Sequence, residues 1–178
     1  MRITGTKVLI FLFFVMTPFV VLAQERQILD WGFFKNDRPS NVEHQAFTWT
    51  YLGYNFKTVK VDGEKANIQF EVTFRLDTAK SYFDHTRKQL NDLKLLEHEQ
   101  GHADITFIYA MKLKDSLSKT TFYLKTYNVE ARKIFNKIYG DMREEQLRYD
   151  SETNHSRITY EQKKWNKYFR ETVSSLIN

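Results

Sequence analysis

The sequence predicts an α+β fold, an N-terminal antiparallel β-hairpin or sheet followed by several long helices. Three observations carry this expectation. Between residues 46 and 76, aromatic and β-branched residues alternate with polar ones around an Asp-Gly turn. From Ser81 onward the apolar spacing lengthens from two to the three and four of helices. No proline follows Pro39, and after Gly63 the only glycines are Gly101 and Gly140, so regular structure is scarcely interrupted.

The chain opens on a segment of different character. Arg2 and Lys7 precede an apolar run over residues 8–22, and the small residues of "VLA" stand before Gln24. This reads as a signal peptide, residues 1–23, with cleavage expected after Ala23. The run of about 15 residues is short beside the roughly 20 a membrane-spanning helix needs. We therefore expect a secreted or periplasmic protein with no stable membrane insertion after cleavage. A retained N-terminal anchor, favoured by Phe11, Phe13, Phe14 and Phe19, is the alternative, and with no cysteine there is nothing to acylate.

Residues 24–178 are then one domain of about 155 residues. The absence of cysteine leaves such an exported domain to its core, and to any metal, for stability. The core has material, since the chain holds 15 Phe, 10 Tyr and 3 Trp. The formal charge of +5 includes Arg2 and Lys7, and without them 25 basic side chains face 22 acidic ones, a net of +3. The basic residues are mixed with acids as on solvated helix faces, and no basic stripe is interleaved with stacking aromatics. Nucleic acid is excluded as a partner on these grounds.

In chain order, "WGFFKNDRPSNVEH" is expected to form a connecting segment with a turn around residues 37–40, where proline and small polar residues collect. "AFTWTYLGYNFKTVKV" and "ANIQFEVTFRL" form the two arms of a hairpin turning through Asp62-Gly63. Ile68, Phe70, Val72, Phe74 and Leu76 mark its buried face. Helices follow. One is expected over residues 81–96, continuing or kinking into a second stretch that ends near Leu117. Another covers residues 126–147 on the spacing of Val129, Ile134, Ile138 and Met142. The last begins near Thr159 and gathers Trp165, Phe169, Val173 and Leu176 on one side. Between these two lies the polar turn "YDSETNHSR".

The stretch "LLEHEQGHADITFIYA" carries the chemistry. His98 and His102 are one helical turn apart and can direct both imidazoles at one cation, while Glu99, displaced by about 100°, can reach a water there without taking a coordination position. This is the HExxH arrangement of zinc peptidases. Chance would produce the pattern in roughly one such sequence in a hundred, so its setting has to contribute. Leu95, His98, His102, Ile105 and Tyr109 share one helix stripe, which turns both histidines inward. Two core histidines satisfied by hydrogen bonds are the competing reading. Gly101 favours a site, because a mid-helix glycine costs about 1 kcal/mol relative to alanine and implies that something approaches closely.

A catalytic Zn2+ needs a third protein ligand and an open position. Positions 105 and 108, glycine and histidine in metzincins, are both isoleucine, which excludes that subclass. His155 is the first candidate because it lies in the polar turn with Asp150, Glu152 and Asn154. Asp150, Glu152 and Glu130 compete as carboxylate ligands, and His44 and His85 are the remaining histidines. Asp104 is expected to support the ligands or lie on the helix surface. Tyr149, beside the turn, can donate to a developing oxyanion or simply pack beneath it.

"LLEHEQGHADI", then "YDSETNHS", then Trp165-Asn166, together with "SYF" at residues 81–83, resembles a bacterial family of predicted secreted zinc-dependent proteases catalogued as domain of unknown function 922. Two departures stand out: Ala103 in place of a bulkier residue, and Ser156 where glycine is usual. The resemblance covers most of the mature chain and implies a zincin-like fold, without supplying a substrate.

The expectation is an exported zinc metallopeptidase acting on a peptide or protein, with Glu99 as general base. A zinc amidase acting on a cell-wall amide would use the same residues. A non-catalytic envelope protein holding zinc structurally, or binding a partner through its aromatic sheet, is the alternative of a different class.

Overall fold

The computed structural model describes residues 25–86 and 93–177. The segment 1–23, on which the signal peptide was expected, lies outside them. The described residues form a mixed α+β fold with two small sheets and three α-helices. No described helix is long and apolar enough to cross a membrane.

After a 3-10 turn at Trp31–Phe33, capped by the Asp30 side chain, come β1 (Asn36–Asp37), β2 (Ala46–Phe47), β3 (Thr50–Asp62), β4 (Lys65–Leu76) and β5 (Tyr82–Phe83). Then follow α1 (Leu93–Lys119), β6 (Phe122–Tyr123), α2 (Tyr127–Thr153) and α3 (Thr159–Ile177). The hairpin is formed by β3 and β4, with Asp62 opposite Lys65, so its two-residue loop is Gly63-Glu64, one place further on than expected. Gly63 takes φ +58°, which only glycine adopts without strain at the first position of such a tight loop. A register shift between Phe56 and Thr58 bends the outer half, and β6 pairs with the end of β4 to make the three-stranded sheet β3-β4-β6.

Two expected elements differ. The arm starting at Ala46 breaks at Thr48-Trp49, and β2 leaves the hairpin to join the sheet β1-β5-β2. Residues 82–83, expected to be helical, are β5, the central strand of that sheet. Burial decides the matter: Phe83 is completely buried beneath Trp31 and Phe34, and Ser81 fastens the approach by donating to the Asp77 carbonyl and accepting from Trp49 N–H. A helix there would turn Phe83 out of its pocket.

α1 is the axis of the molecule. Its residues 103–110 are all buried, because the helix lies against β3 and β4 as well as α2 and α3. Phe107 meets Phe74 of β4, while Tyr109 donates to Glu145 of α2. Burial therefore extends round the helix beyond the stripe of Leu95, His98, His102, Ile105 and Tyr109, and takes in Asp104 and Thr106. Each completely buried leucine or phenylalanine, such as Leu113, contributes about 2 to 3 kcal/mol. A second cluster, Leu29, Phe34, Ala46, Phe83, Leu95 and Ala103, packs the small sheet onto the first turns of α1. Ala103 is small because this sheet lies against it.

Candidate metal centre

α1 presents His98, Glu99 and His102 to a cleft of about 560 Å³, lined also by residues 43–50 and by the last turns of α2. α2 runs six residues further than expected, to Thr153, so Tyr149, Asp150 and Glu152 are helical rather than in the turn. Its continuation is what brings Asp150 to the histidines. Asp150 Oδ1 lies 3.1 Å from His98 Nε2, 3.1 Å from His102 Nε2 and 3.3 Å from His155 Nδ1.

His155 reaches this point from a strained turn. Asn154, His155 and Ser156 all have left-handed backbones, with φ of 44°, 50° and 73°. Such a conformation costs roughly 1 kcal/mol or more per non-glycine residue. The turn is held by Asn154 and His155 N–H groups donating to the Asp150 carbonyl and by Ile158 N–H donating to that of Thr153. Ser156 thus occupies a left-handed backbone that glycine would adopt without strain.

The imidazole tautomers follow from the surrounding donors and acceptors. Tyr149 Oη donates to the His98 carbonyl at 3.0 Å, so the hydroxyl must accept from Gln162 Nε2, 2.7 Å away. The Gln162 amide nitrogen also donates to Asn166 Oδ1, whose own amide donates to Glu97. Gln162 Oε1 therefore faces His98 Nδ1, at 3.2 Å, and that nitrogen carries the proton. The same logic holds at His102. Gln146 Nε2 donates to the His102 carbonyl, which turns Gln146 Oε1 onto His102 Nδ1. In the neutral rings both Nε2 lone pairs consequently point at one carboxylate oxygen.

Electron pairs aimed at an anion need a cation between them. Without a metal, protons serve: burial works against a charge on His102, but the bond and charge of Asp150 and the charge of Glu99 outweigh it and push its pKa up to about 9. Asp150 resists burial in the opposite sense, its carboxyl held well below the usual range by His102 and His98. His155 is pulled below its ordinary value by burial and neighbouring histidines, against the attraction of Asp150.

The cluster also fits a divalent metal. Ligand bonds of 2.0–2.2 Å in a tetrahedron give donor-to-donor edges of roughly 3.3–3.6 Å, near the 3.1 to 3.3 Å contacts around Asp150. Donor atoms of His98, Asp150 and His155 lie within 4.8 Å of one another, with His102 joined through Asp150. Imidazoles with a carboxylate suit zinc.

The other sequence candidates separate. Glu130 Oε1 accepts from Thr126 at the start of α2, and Glu152 accepts from Trp165 Nε1, so neither faces the cluster. His85 lies against Phe83, whereas His44 packs at a tilt against His155 in the cleft. Asp104 is neither surface nor support for the ligands: it is buried under Arg26, which binds it through two bonds of 2.7 and 2.8 Å. Tyr149 is completely buried, and its hydroxyl is committed to His98 and Gln162, away from the cleft lining. That places it as a positioning residue in place of the expected oxyanion donor. Its ring is also what crowds Gly101. Glu99 is buried, lines the cleft, and accepts a 2.6 Å bond from Thr48 Oγ1. Sequence reasoning missed Gln146 and Gln162; Gln146 stands one turn before Asp150, a spacing concealed by ending α2 at Leu147.

The family model described as "Bacterial protein of unknown function (DUF922)" matches residues 30–156, and the chain belongs to that family. No curated protein and no solved structure matches it.

Proposed function

For this member of a bacterial family of unknown function, we propose an exported, zincin-like, zinc-dependent hydrolase that cleaves peptide bonds. One observation carries the reading: the glutamine-fixed tautomers of His98 and His102 aim two Nε2 lone pairs at Asp150 Oδ1, with His155 alongside. A half-buried cluster arranged in this way, in a cleft open to solvent, supports the reading of a cation site. The apolar run after Arg2 and Lys7 supports export.

His98, His102 and His155 would hold the zinc, with Asp150 as a further donor or as their negatively charged partner. Zinc supplies Lewis acidity, which eases deprotonation of water and polarises a carbonyl. The remaining work falls to the chain. Thr48 holds one oxygen of Glu99, leaving the other to accept a proton from the attacking water and return it to the leaving amine.

A second reading has its own support. If Asp150 coordinates together with three histidines, four protein donors close the site, as in structural zinc centres. Elemental analysis of the mature protein, beside His155→Ala and Asp150→Asn, tests the metal; about one zinc per chain is expected, with a large loss in His155→Ala. Hydrolysis of a quenched peptide library then separates the readings. Glu99→Gln should keep the zinc and lose about 100-fold or more in turnover. Zinc bound with no hydrolysis in wild type selects the structural reading, and no zinc uptake at all defeats both.

A further inference from the structure

The cleft carries two guanidinium groups that the chemistry above does not use. α2 turns Tyr139, Met142, Arg143, Gln146 and Asp150 into it, a spacing that falls on one helix face. Arg157, two residues past His155, also lines it. Both arginines are exposed, and neither makes a side-chain ion pair or hydrogen bond with a described residue. Of the acids near Arg143 on α2, Asp141 accepts from Lys137 at 2.6 Å and Glu145 pairs with Arg148 at 3.2 Å, while Glu144, one position round the helix, lies outside the cleft lining. Of the acids lining the cleft, Glu99 is bound by Thr48 and Asp150 by the histidines, which leaves Glu43. Two unpaired guanidinium groups thus face one unpaired carboxylate along the cleft.

We propose that this cleft selects acidic peptides, with Arg143 pairing with a substrate carboxylate about three residues from the bond held at the histidine cluster. The spacing comes from the helix. Arg143 precedes Asp150 by seven residues, or about 10 Å along the axis at 1.5 Å per residue. An extended peptide advances about 3.3 Å per residue, so roughly three residues span the same distance. Phe47, Trp49 and Leu147 add apolar wall for the intervening side chains. This inference rests on the peptide-hydrolase reading but is tested apart from it.

The experiment is fluorescence anisotropy of the full mature chain with two short labelled peptides. They share an apolar centre and differ only in carrying Glu or Lys about three residues to either side. At low salt, wild type should bind the Glu peptide about tenfold more tightly. Arg143→Glu should reverse the preference, Arg143→Gln should nearly abolish it, and added salt should shrink it. Circular dichroism checks that each variant is folded; Arg143→Gln keeps the test available should the charge reversal unfold the helix. Equal binding of the two peptides by wild type, or a preference unchanged by both substitutions, overturns the proposal. Because binding needs neither metal nor turnover, a charge preference without hydrolysis overturns the hydrolase reading alone. Hydrolysis without a charge preference overturns only this inference.

Discussion

Gly101→Ala is the substitution for which helix propensity and tertiary structure predict opposite signs. Position 101 lies inside α1, where alanine is favoured over glycine by about 0.8 to 1 kcal/mol. The structure opposes this gain, because a Cβ at 101 would meet Tyr149, with its Oη nearest and its Cε1 at 2.7 Å. The ring cannot retreat. It is stacked on His98 at 4.6 Å between centroids and packed against Trp165 at 5.1 Å and Phe169 at 5.5 Å. Overpacking of a core costs roughly 1 to 3 kcal/mol, and displacing the hydroxyl from His98 and Gln162 costs about 1 kcal/mol per bond. The net loss is about 3 kcal/mol, or roughly 6 to 12 °C in Tm for a domain of this size. Urea and thermal unfolding of chelator-treated protein measure it. Zinc affinity, read by competition with a chromophoric chelator, should also fall about tenfold, since His98 loses the partner that orients it. A variant as stable as wild type, with undiminished affinity, would refute the close-packed relay from His98 through Tyr149 and Gln162.

Other substitutions probe other links. Gln162→Leu, which removes the nearer of two acceptors at His98 Nδ1 and leaves Thr153 Oγ1 at 3.4 Å, should weaken zinc binding by about 10-fold while the chain still folds; unchanged affinity in a competition titration would show that the tautomer is set otherwise. Asp104→Asn breaks a paired and largely buried charge, and should cost about 2 to 3 kcal/mol in urea unfolding without altering zinc affinity. For pH, a folded His102 pKa of about 9, above its ordinary 6.5, means that the pair with Asp150 stabilises metal-free protein fully below pH 6.5 and ceases to do so as pH rises through 9. Tm of chelator-treated protein should therefore decline across that window, and zinc uptake near neutral pH should release about one proton to a weakly buffered solution. A flat Tm profile with no proton release would contradict the assigned charge state.

Much of this protein was legible in its sequence because the signals are local. Alternation from Ile68 to Leu76 marks one face of β4, and the Asp62-Gly63 pair marks the turn. The four-residue spacing of His98 and His102 puts both imidazoles on one side of α1, whatever surrounds the helix. Other features depend on groups distant in the chain. Residues 82–83 have no strong strand signal and become β5 only because Phe83 finds a pocket under Trp31 and Phe34. The reach of α2 to Thr153 is set by what Tyr149 and Asp150 meet across α1, against a polar composition that reads as a turn. The same dependence decided the residue roles. Sequence placed Asp150 and His155 as rivals for one position, whereas the fold gathers both; it left Tyr149 between oxyanion donor and packing beneath the turn, and the fold buries it against α1. Periodicity is a property of neighbouring residues, but a buried polar network is closed by the last donor and acceptor to join it, and here those are the glutamines of α2 and α3.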